Sequence, residues 1–262
     1  MIDLHAHILP KLVDGSSENT QVSEQLVRTA MEDGIHTIVC TPRMGADRGL
    51  SAATIRKRFF RFYHAVQELG YPISLKLGAD IDLSEGLAEN LRSAKFLTIN
   101  RSRYFLLRLP KEAPSLMLEG EVEQCLAAGY IPILTHPERL NWISSHYKRV
   151  VNLLLAGAWL HITGDSLTGH LGRLPKYWAE RLLDEGLVHL IATDAHARDK
   201  RAPMLSEAFE LASVRVGSQE ATQLVEGRPK AVLFDMDPQD VILPPALIKE
   251  KPLPVKLVSQ GV

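Results

Sequence analysis

Short runs of apolar, often β-branched residues alternate along the chain with longer segments of helical periodicity. Val22, Leu26 and Ala30 share one face of a predicted helix over 21–33, and Gly34 is a typical helix terminator. Further helical segments that end at a glycine cover 119–128 and 177–185. The predicted strands, all short and mostly apolar, are 2–5, 36–41, 73–77, 104–109, 131–135, 159–163 and 188–193.

Seven strand–helix units with nearly continuous apolar strands predict a parallel sheet covered by helices. Seven units approach the number that closes a barrel, so we expect a distorted (β/α)7 barrel related to TIM barrels. The 262 residues fit one such domain, which we place at 1–237. Residues 238–262 are rich in proline and predict a separate C-terminal tail.

Polar residues follow the predicted strands at one end only. The carboxyl ends of parallel strands converge on one face of a barrel, where such barrels place their chemistry. We therefore expect a single pocket built from these residues. They are His5, His7, Thr41, Arg43, Asp80, Arg108, His136, Thr163, Asp194 and His196.

The residue types at this face indicate a metal site. His5 and His7 are two positions apart on an extended segment, so both side chains point the same way. Asp194 and His196 repeat this spacing in the last predicted strand–helix unit, far along the chain. Mixed imidazole and carboxylate ligands suit Mn, Fe or Zn. We assign the remaining histidines to the surface or the core: His36, His64, His146, His161, His170 and His189.

Arg139 follows His136 closely and can hold a phosphate group bidentately. The alternative for Arg139 is a salt bridge to Glu138 or to a neighbouring loop. A cysteine-based tyrosine phosphatase is excluded, because its loop needs an arginine six residues after the nucleophile. That position holds Ala46 after Cys40 and Ile131 after Cys125.

Composition indicates the cellular compartment of the protein and excludes some classes of binding partner. Thirty Lys and Arg against thirty-one Asp and Glu give a net charge of -1, which argues against nucleic-acid binding driven by bulk charge. Two cysteines cannot form a disulfide framework, so a reducing compartment is favoured. The apolar stretch 150–160 is too short to span a bilayer. We expect a cytoplasmic protein.

Several motifs, in register from residue 1 to about 235, resemble the PHP-superfamily tyrosine phosphatases of the CpsB/YwqE type, which belong to bacterial capsule and exopolysaccharide operons. The motifs are MIDLHAHILP at 1–10, VDG at 13–15, TP at 41–42, GAD at 78–80, THPER at 135–139, ITGDSLTG at 162–169 and ATDAH at 192–196. The resemblance implies a PHP-type barrel with a manganese-type metal cluster. It also implies hydrolysis of phosphotyrosine on the tail of a tyrosine autokinase that controls polysaccharide export.

The resemblance also implies a role for each matching residue. His5, His7, Asp80 and Asp194 would form a first metal site, and Asp80 would bridge to a second metal held by His136. Asp14 and His196 would belong to a third site. Arg139 would hold the phosphate, so the catalytic residues expected are Arg139, His136 and Asp194.

Three positions depart from the family pattern. Arg43 stands where the family has histidine, Arg108 where it has glutamate, and Asp80 replaces a longer bridging glutamate. Arginine has no lone pair for a metal, so the second and third sites each lose a ligand. We therefore expect one or two ions rather than three.

Three functions are compatible with these departures. In the first, the enzyme works with one or two ions, and Arg43 and Arg108 supply positive charge to the phosphate. In the second, the chain is a pseudophosphatase that binds a partner without turnover. In the third, it hydrolyses a small phosphoester, as histidinol phosphatases do. The joint presence of Asp14, His136, Arg139, Asp194 and His196 favours the first.

Overall fold

The computed structural model describes residues 1–10, 19–45, 49–196 and 201–248. The strands are β1 (Ile2–His7), β2 (Thr37–Cys40), β3 (Arg43–Met44), β4 (Ser74–Leu77), β5 (Asp80–Asp82), β6 (Tyr104–Arg108), β7 (Ile131–Thr135), β8 (Trp159–Thr163), β9 (Leu190–Ala192) and β10 (Ala195–His196). The helices are α1 (Thr20–Glu32), α2 (Ala52–Glu68), α3 (Leu87–Arg92), α4 (Leu118–Ala127), α5 (Ile143–Ala156), α6 (Gly164–Thr168), α7 (Arg173–Asp184), α8 (Ser206–Val216), α9 (Ser218–Thr222) and α10 (Arg228–Leu233).

The strands form two parallel ladders, ordered β10-β1-β2-β4 and β3-β5-β6-β7-β8-β9. Each place that a strand occupies around the barrel is called a wall position. Three wall positions are each occupied by two short strands separated by a break in the chain: β2 with β3, β4 with β5, and β9 with β10. One break contains Pro42, which has no N–H to donate, and another contains Asp194, whose φ is 48°. Joining these pieces gives a closed ring of seven wall positions in the described residues. The predicted (β/α)7 barrel is confirmed.

Two apolar clusters hold the barrel together. The inner cluster fills the barrel interior and includes Leu4, Val39, Leu106 and Trp159. The outer, larger cluster lies between the strands and the surrounding helices. The three predicted helices are also confirmed, with the last one beginning earlier than expected, at Arg173. Nearly continuous apolar strands follow from this arrangement, since both faces of each strand are covered.

The segment after α10 packs on the barrel around a fully buried arginine. Arg228 pairs with Glu220 at 2.7 Å and donates to the Ile242 carbonyl at 2.7 Å. Tyr104 Oη donates to the Met236 carbonyl at 2.8 Å. Residues 236–248 are thus held against the barrel, while 249–262 lie outside the described residues. The division into a domain at 1–237 and a tail at 238–262 stays a prediction.

We predict that Arg228→Met lowers the free energy of unfolding by about 3–5 kcal/mol, because it leaves the Glu220 carboxylate without its buried partner. Arg215→Met is the matched control, since Arg215 pairs with Asp184 at 2.7 Å in a partly exposed position. Its cost should be below about 1 kcal/mol. Urea denaturation measures both, and equal costs would contradict the account.

Candidate functional site

A register shift in β1 turns its two histidines toward the mouth of the barrel. Ile2 and Leu4 belong to the inner cluster, whereas Ala6 belongs to the outer one, so the strand's alternation inverts between them. The pairing of β1 with β2 is irregular at this point, between Asp3 and Ala6. Such an irregularity re-aims side chains. His5 and His7 therefore face the site.

Two histidines and two aspartates meet at this mouth. His5 Nε2 and His7 Nε2 lie 3.1 Å apart. Asp80 Oδ2 is 3.8 Å from each of these nitrogens, and Asp194 Oδ1 is 3.5 Å and 3.4 Å from them. All four side chains are buried. The predicted first metal set is thus brought together at the ends of three wall positions.

His161 fixes the tautomer of His5. A carbonyl oxygen only accepts, so His161 Nδ1 donates to the Ile162 carbonyl at 3.2 Å and its Nε2 is unprotonated. That Nε2 accepts from His5 Nδ1 at 2.9 Å. Burial lowers the pKa of His161 to about 4, which keeps the ring neutral near pH 7. The lone pair of His5 Nε2 is therefore aimed at His7 and the two carboxylates.

Asp194 is the most heavily contacted acid of the site. Its Oδ2 accepts from Arg139 Nη1 at 2.5 Å and from Arg201 Nη1 at 2.9 Å, while His196 Nε2 lies 3.1 Å from Oδ1. Burial by itself raises the pKa of Asp194, but interaction with His5 and hydrogen bonds from His196 and His7 outweigh it. The pKa therefore lies well below its ordinary value, and the carboxylate stays charged.

The backbone at Asp194 is held in a left-handed conformation by its neighbours. Its N–H donates to the His5 carbonyl at 2.8 Å. The preceding Thr193 is bound to the buried Asp3, which accepts from Thr193 N at 3.0 Å and from Thr193 Oγ1 at 2.5 Å. Burial raises the pKa of Asp3 to about 6. These bonds fix the direction of Asp194 against the strain of its φ.

Arg108 is an ion-pair partner of Asp80. Its Nη1 lies 3.2 Å from Asp80 Oδ2, and its Nε lies 3.7 Å from Asp82 Oδ1. Arg43 lies beside Asp80 on the neighbouring strand, as its register partner in the β3–β5 ladder. The positive charge of Arg43 also acts on the Asp80 carboxylate. Burial nevertheless raises the pKa of Asp80. Two fixed cations thus act on Asp80, and Arg108 contacts the same carboxylate oxygen that faces His5 and His7.

The HPER segment after β7 positions Arg139. His136 adopts a φ of 37° and is buried, with its ring stacked 5.9 Å from that of His5. Glu138 Oε1 accepts from Thr163 N and Oγ1, both at 3.0 Å, and from Ser166 Oγ at 2.8 Å. Glu138 therefore ties this turn to the start of α6. Arg139 forms its salt bridge with Asp194 rather than with Glu138, and this is the bridge to a neighbouring loop that the sequence left open as the alternative.

A divalent ion fits the residues that meet here. Within the described residues, two groups have ligand atoms close enough to share one ion: His5, His7 and Asp80, and His7, Asp194 and His196. Asp80 Oδ1 is buried and has no hydrogen-bond partner, as expected for an atom that awaits a ligand. The donor set, neutral imidazole with carboxylate, suits Mn, Fe or Zn.

A cavity of about 560 Å³ adjoins this cluster. Its lining includes Arg139 and Arg201, which both bind Asp194, and Gly164, Asp165 and Thr168 of α6. The ITGDSLTG motif at 162–169, one of the motifs that carry the family resemblance, therefore contributes to the cavity lining. The space is large enough for an aromatic side chain bearing a phosphate group.

The sequence identified most of the residues that meet here and missed four. Asp14 lies outside the described residues, and His136 lies near the cluster without joining either three-residue group there. The missed residues are Asp3, Glu138, Arg201 and His161, the last assigned to the surface or the core. Asp3 and Glu138 lie inside motifs that the sequence analysis recognised, whereas nothing in the spacing of His161 marks its contact with His5.

Comparisons with known proteins give one consistent family. The family model described as "Capsular polysaccharide synthesis, CpsB/CapC" matches residues 1–234. The tyrosine-protein phosphatase YwqE of Bacillus subtilis is 29% identical over 247 residues, which cover 92% of this chain and 96% of YwqE. The tyrosine-protein phosphatase CpsB of Streptococcus pneumoniae is 25% identical over 241 residues, 90% of this chain and 99% of CpsB.

Solved structures agree with the barrel. A structure from a study of YwqE from B. subtilis and CpsB from S. pneumoniae, described as unique metal-dependent tyrosine phosphatases, superposes with a TM-score of 0.85. It is 27% identical and covers 94% of this chain and 98% of its own. An amidohydrolase from Mycoplasma synoviae shares only the fold, with a TM-score of 0.52, 14% identity and coverage of 89% and 87%.

No helix in the described part of the chain is both long and apolar enough to cross a membrane. The family match spans nearly the whole barrel and includes every strand whose carboxyl end contributes to the site. The resemblance drawn from the sequence motifs is thereby confirmed. This chain belongs to the CpsB/CapC family of capsular polysaccharide synthesis proteins.

Proposed function

We propose that this protein is a metal-dependent phosphomonoester hydrolase that removes phosphate from tyrosine side chains. The observation that carries the proposal is the buried meeting of His5, His7, Asp80 and Asp194 beside a cavity lined by Arg139 and Arg201. Relatives named as tyrosine-protein phosphatases support the choice of substrate. The physiological target would be the phosphotyrosine tail of a cytoplasmic tyrosine autokinase in polysaccharide synthesis.

His5, His7, Asp80 and Asp194 would hold the first ion, and His196 would complete a second group with His7 and Asp194. A bound divalent ion of this kind, with Mn the first choice, polarises a phosphoryl oxygen and acidifies water. His136 has its pKa held well below the ordinary value by burial, so it remains neutral near pH 7. It can therefore act as a ligand or accept a proton.

Four arginines would bind and stabilise the phosphate. Arg139 and Arg201 share one carboxylate oxygen of Asp194, so their guanidinium groups already converge on a single acceptor. Arg43 and Arg108 stand on the Asp80 side and would offset the charge that lost metal ions would have carried. Fixed donors aimed at developing negative charge lower the barrier without reorganisation.

Chelator-stripped protein should hydrolyse a phosphotyrosine peptide only after Mn²⁺ is added. We expect His136→Ala and Arg139→Gln to lower kcat/KM by about 10²–10³-fold, because the first removes a metal ligand or proton acceptor and the second a donor to the phosphate. Arg149→Gln is the matched control, since Arg149 pairs with Glu119 outside the site. It should keep full activity.

Two results would replace this proposal with another. Peptide binding without turnover under any metal, from folded protein, would indicate a pseudophosphatase. Faster hydrolysis of a sugar phosphate or an amino-alcohol phosphate than of the peptide would indicate a small-molecule phosphoesterase.

The number of metal ions bound per chain should depend on which side chain occupies position 108. We expect Arg108→Glu to bind one more ion per chain than the natural protein, because it replaces a cation beside Asp80 with a ligand. Arg108→Gln removes the same charge without adding a carboxylate, so its ion count should stay unchanged. Elemental analysis after gel filtration measures both. Three ions in the natural protein would refute the proposed role of Arg108.

His161 should act on metal affinity through His5. Because His161→Phe cannot accept from His5 Nδ1, we expect metal affinity to fall by about 10–100-fold. His161→Gln retains an acceptor oxygen and should restore part of the loss. His189→Phe is the control, since His189 is buried against Trp159 away from the site. Chelator competition gives the affinities, and equal values for both phenylalanine variants would contradict this role.

A further inference from the structure

A second cavity, of about 580 Å³, opens in the flank of the barrel away from the metal residues. It lies where the wall diverges: in the described residues β4 pairs only with β2, and no ladder joins β4 to β6. The turn Ile99–Arg101 lies in the gap between them. We call this space, bounded by α2, β4 and residues 91–102, the flank cavity.

The apolar part of the flank cavity's lining combines aromatic and aliphatic side chains. Phe59 and Phe60 come from α2, Phe96 and Leu97 come from the segment before the turn, and Leu75 comes from β4. Phe60 is 52% exposed, which leaves its ring available to a ligand. The volume is within the range of about 300–1,000 Å³ that is typical of small-molecule sites.

The charged residues of the flank cavity are all positive. Arg56, Lys76 and Arg101 line it, and no carboxylate does. In the part of the chain that the structure describes, none of the three forms a salt bridge or a side-chain hydrogen bond. Arg103, two residues further on, pairs with Asp235 and Asp237 instead. Three uncompensated cations around one apolar space favour an anionic occupant.

The positions of these cations suit a single ligand. Arg56 precedes Phe59 and Phe60 by three and four residues on α2, so the three side chains share one helical face. Three further lining residues, Ala94, Asn100 and Arg101, adopt left-handed backbone conformations, with φ values of 54°, 48° and 64°. Residues held in such conformations concentrate at ligand sites.

We propose that the flank cavity binds an organic anion with a flat apolar body. The rings of Phe59, Phe60 and Phe96 would contact the apolar body, and Arg56, Lys76 and Arg101 would hold its acidic group. Guanidinium groups bind carboxylate, phosphate and sulfonate through paired hydrogen bonds, so any of these groups would serve. This site is independent of the phosphatase proposal, since none of its residues belongs to the metal cluster.

Titration with 8-anilinonaphthalene-1-sulfonate, an aromatic sulfonate whose fluorescence rises on binding, tests the proposal. We expect one saturable site per chain. Arg56→Gln and Arg101→Gln should each raise Kd by about tenfold through the loss of a charge-assisted hydrogen bond. Arg61→Gln is the matched control, because Arg61 also lies on α2 but lines a separate cavity of about 210 Å³.

The uncharged analogue N-phenyl-1-naphthylamine separates charge from apolar contact. It should bind more weakly than the sulfonate and should not respond to Arg56→Gln or Arg101→Gln. The proposal is wrong if the sulfonate shows no saturable binding, or if the double variant of Arg56 and Arg101 binds it as the natural protein does. An equal loss in Arg61→Gln would also overturn it. Thermal unfolding of each variant establishes that the fold is intact.

Discussion

The Asp194 carboxylate is the interaction on which the site depends. This carboxylate is buried, and the Asp194 backbone that carries it is in the left-handed region. It is contacted by His196, Arg139 and Arg201. It also faces His5 and His7. A buried charge is costly unless it is paired and hydrogen-bonded, so this carboxylate requires its cationic neighbours. The bonds from Asp3 through Thr193 and from Asp194 N to His5 then fix its orientation relative to β1.

Charge balance at this face differs from that of a site built only for metal ions. Asp80 faces the histidines with the same oxygen that Arg108 contacts, and Arg43 lies beside it in the ladder. A guanidinium supplies positive charge and hydrogen-bond donors without needing ligands of its own. Under the proposed function, these arginines would offer a cationic surface for phosphate in place of metal ligands.

The sequence predicted the barrel and the convergence of strand-end residues because both follow from simple periodicity. Apolar strands that are covered on both faces are recognisable, and the carboxyl ends of parallel strands meet by geometry. The register shift in β1 and the role of His161 could not be predicted, because they depend on packing between residues far apart in sequence. Arg201 was missed for a different reason: it follows Asp194 closely in sequence, and the backbone bridge between His196 and Arg201 that brings it back to the site leaves no mark in the residue pattern.

The most direct test of this account is a crystal structure of the manganese-loaded protein, with anomalous scattering used to locate the ions. We expect a strong peak among His5 Nε2, His7 Nε2, Asp80 and Asp194, with the Arg108 guanidinium still paired to Asp80. A peak between Asp80 and His136 with Arg108 displaced toward solvent would contradict it, as would the absence of any peak among the four ligands.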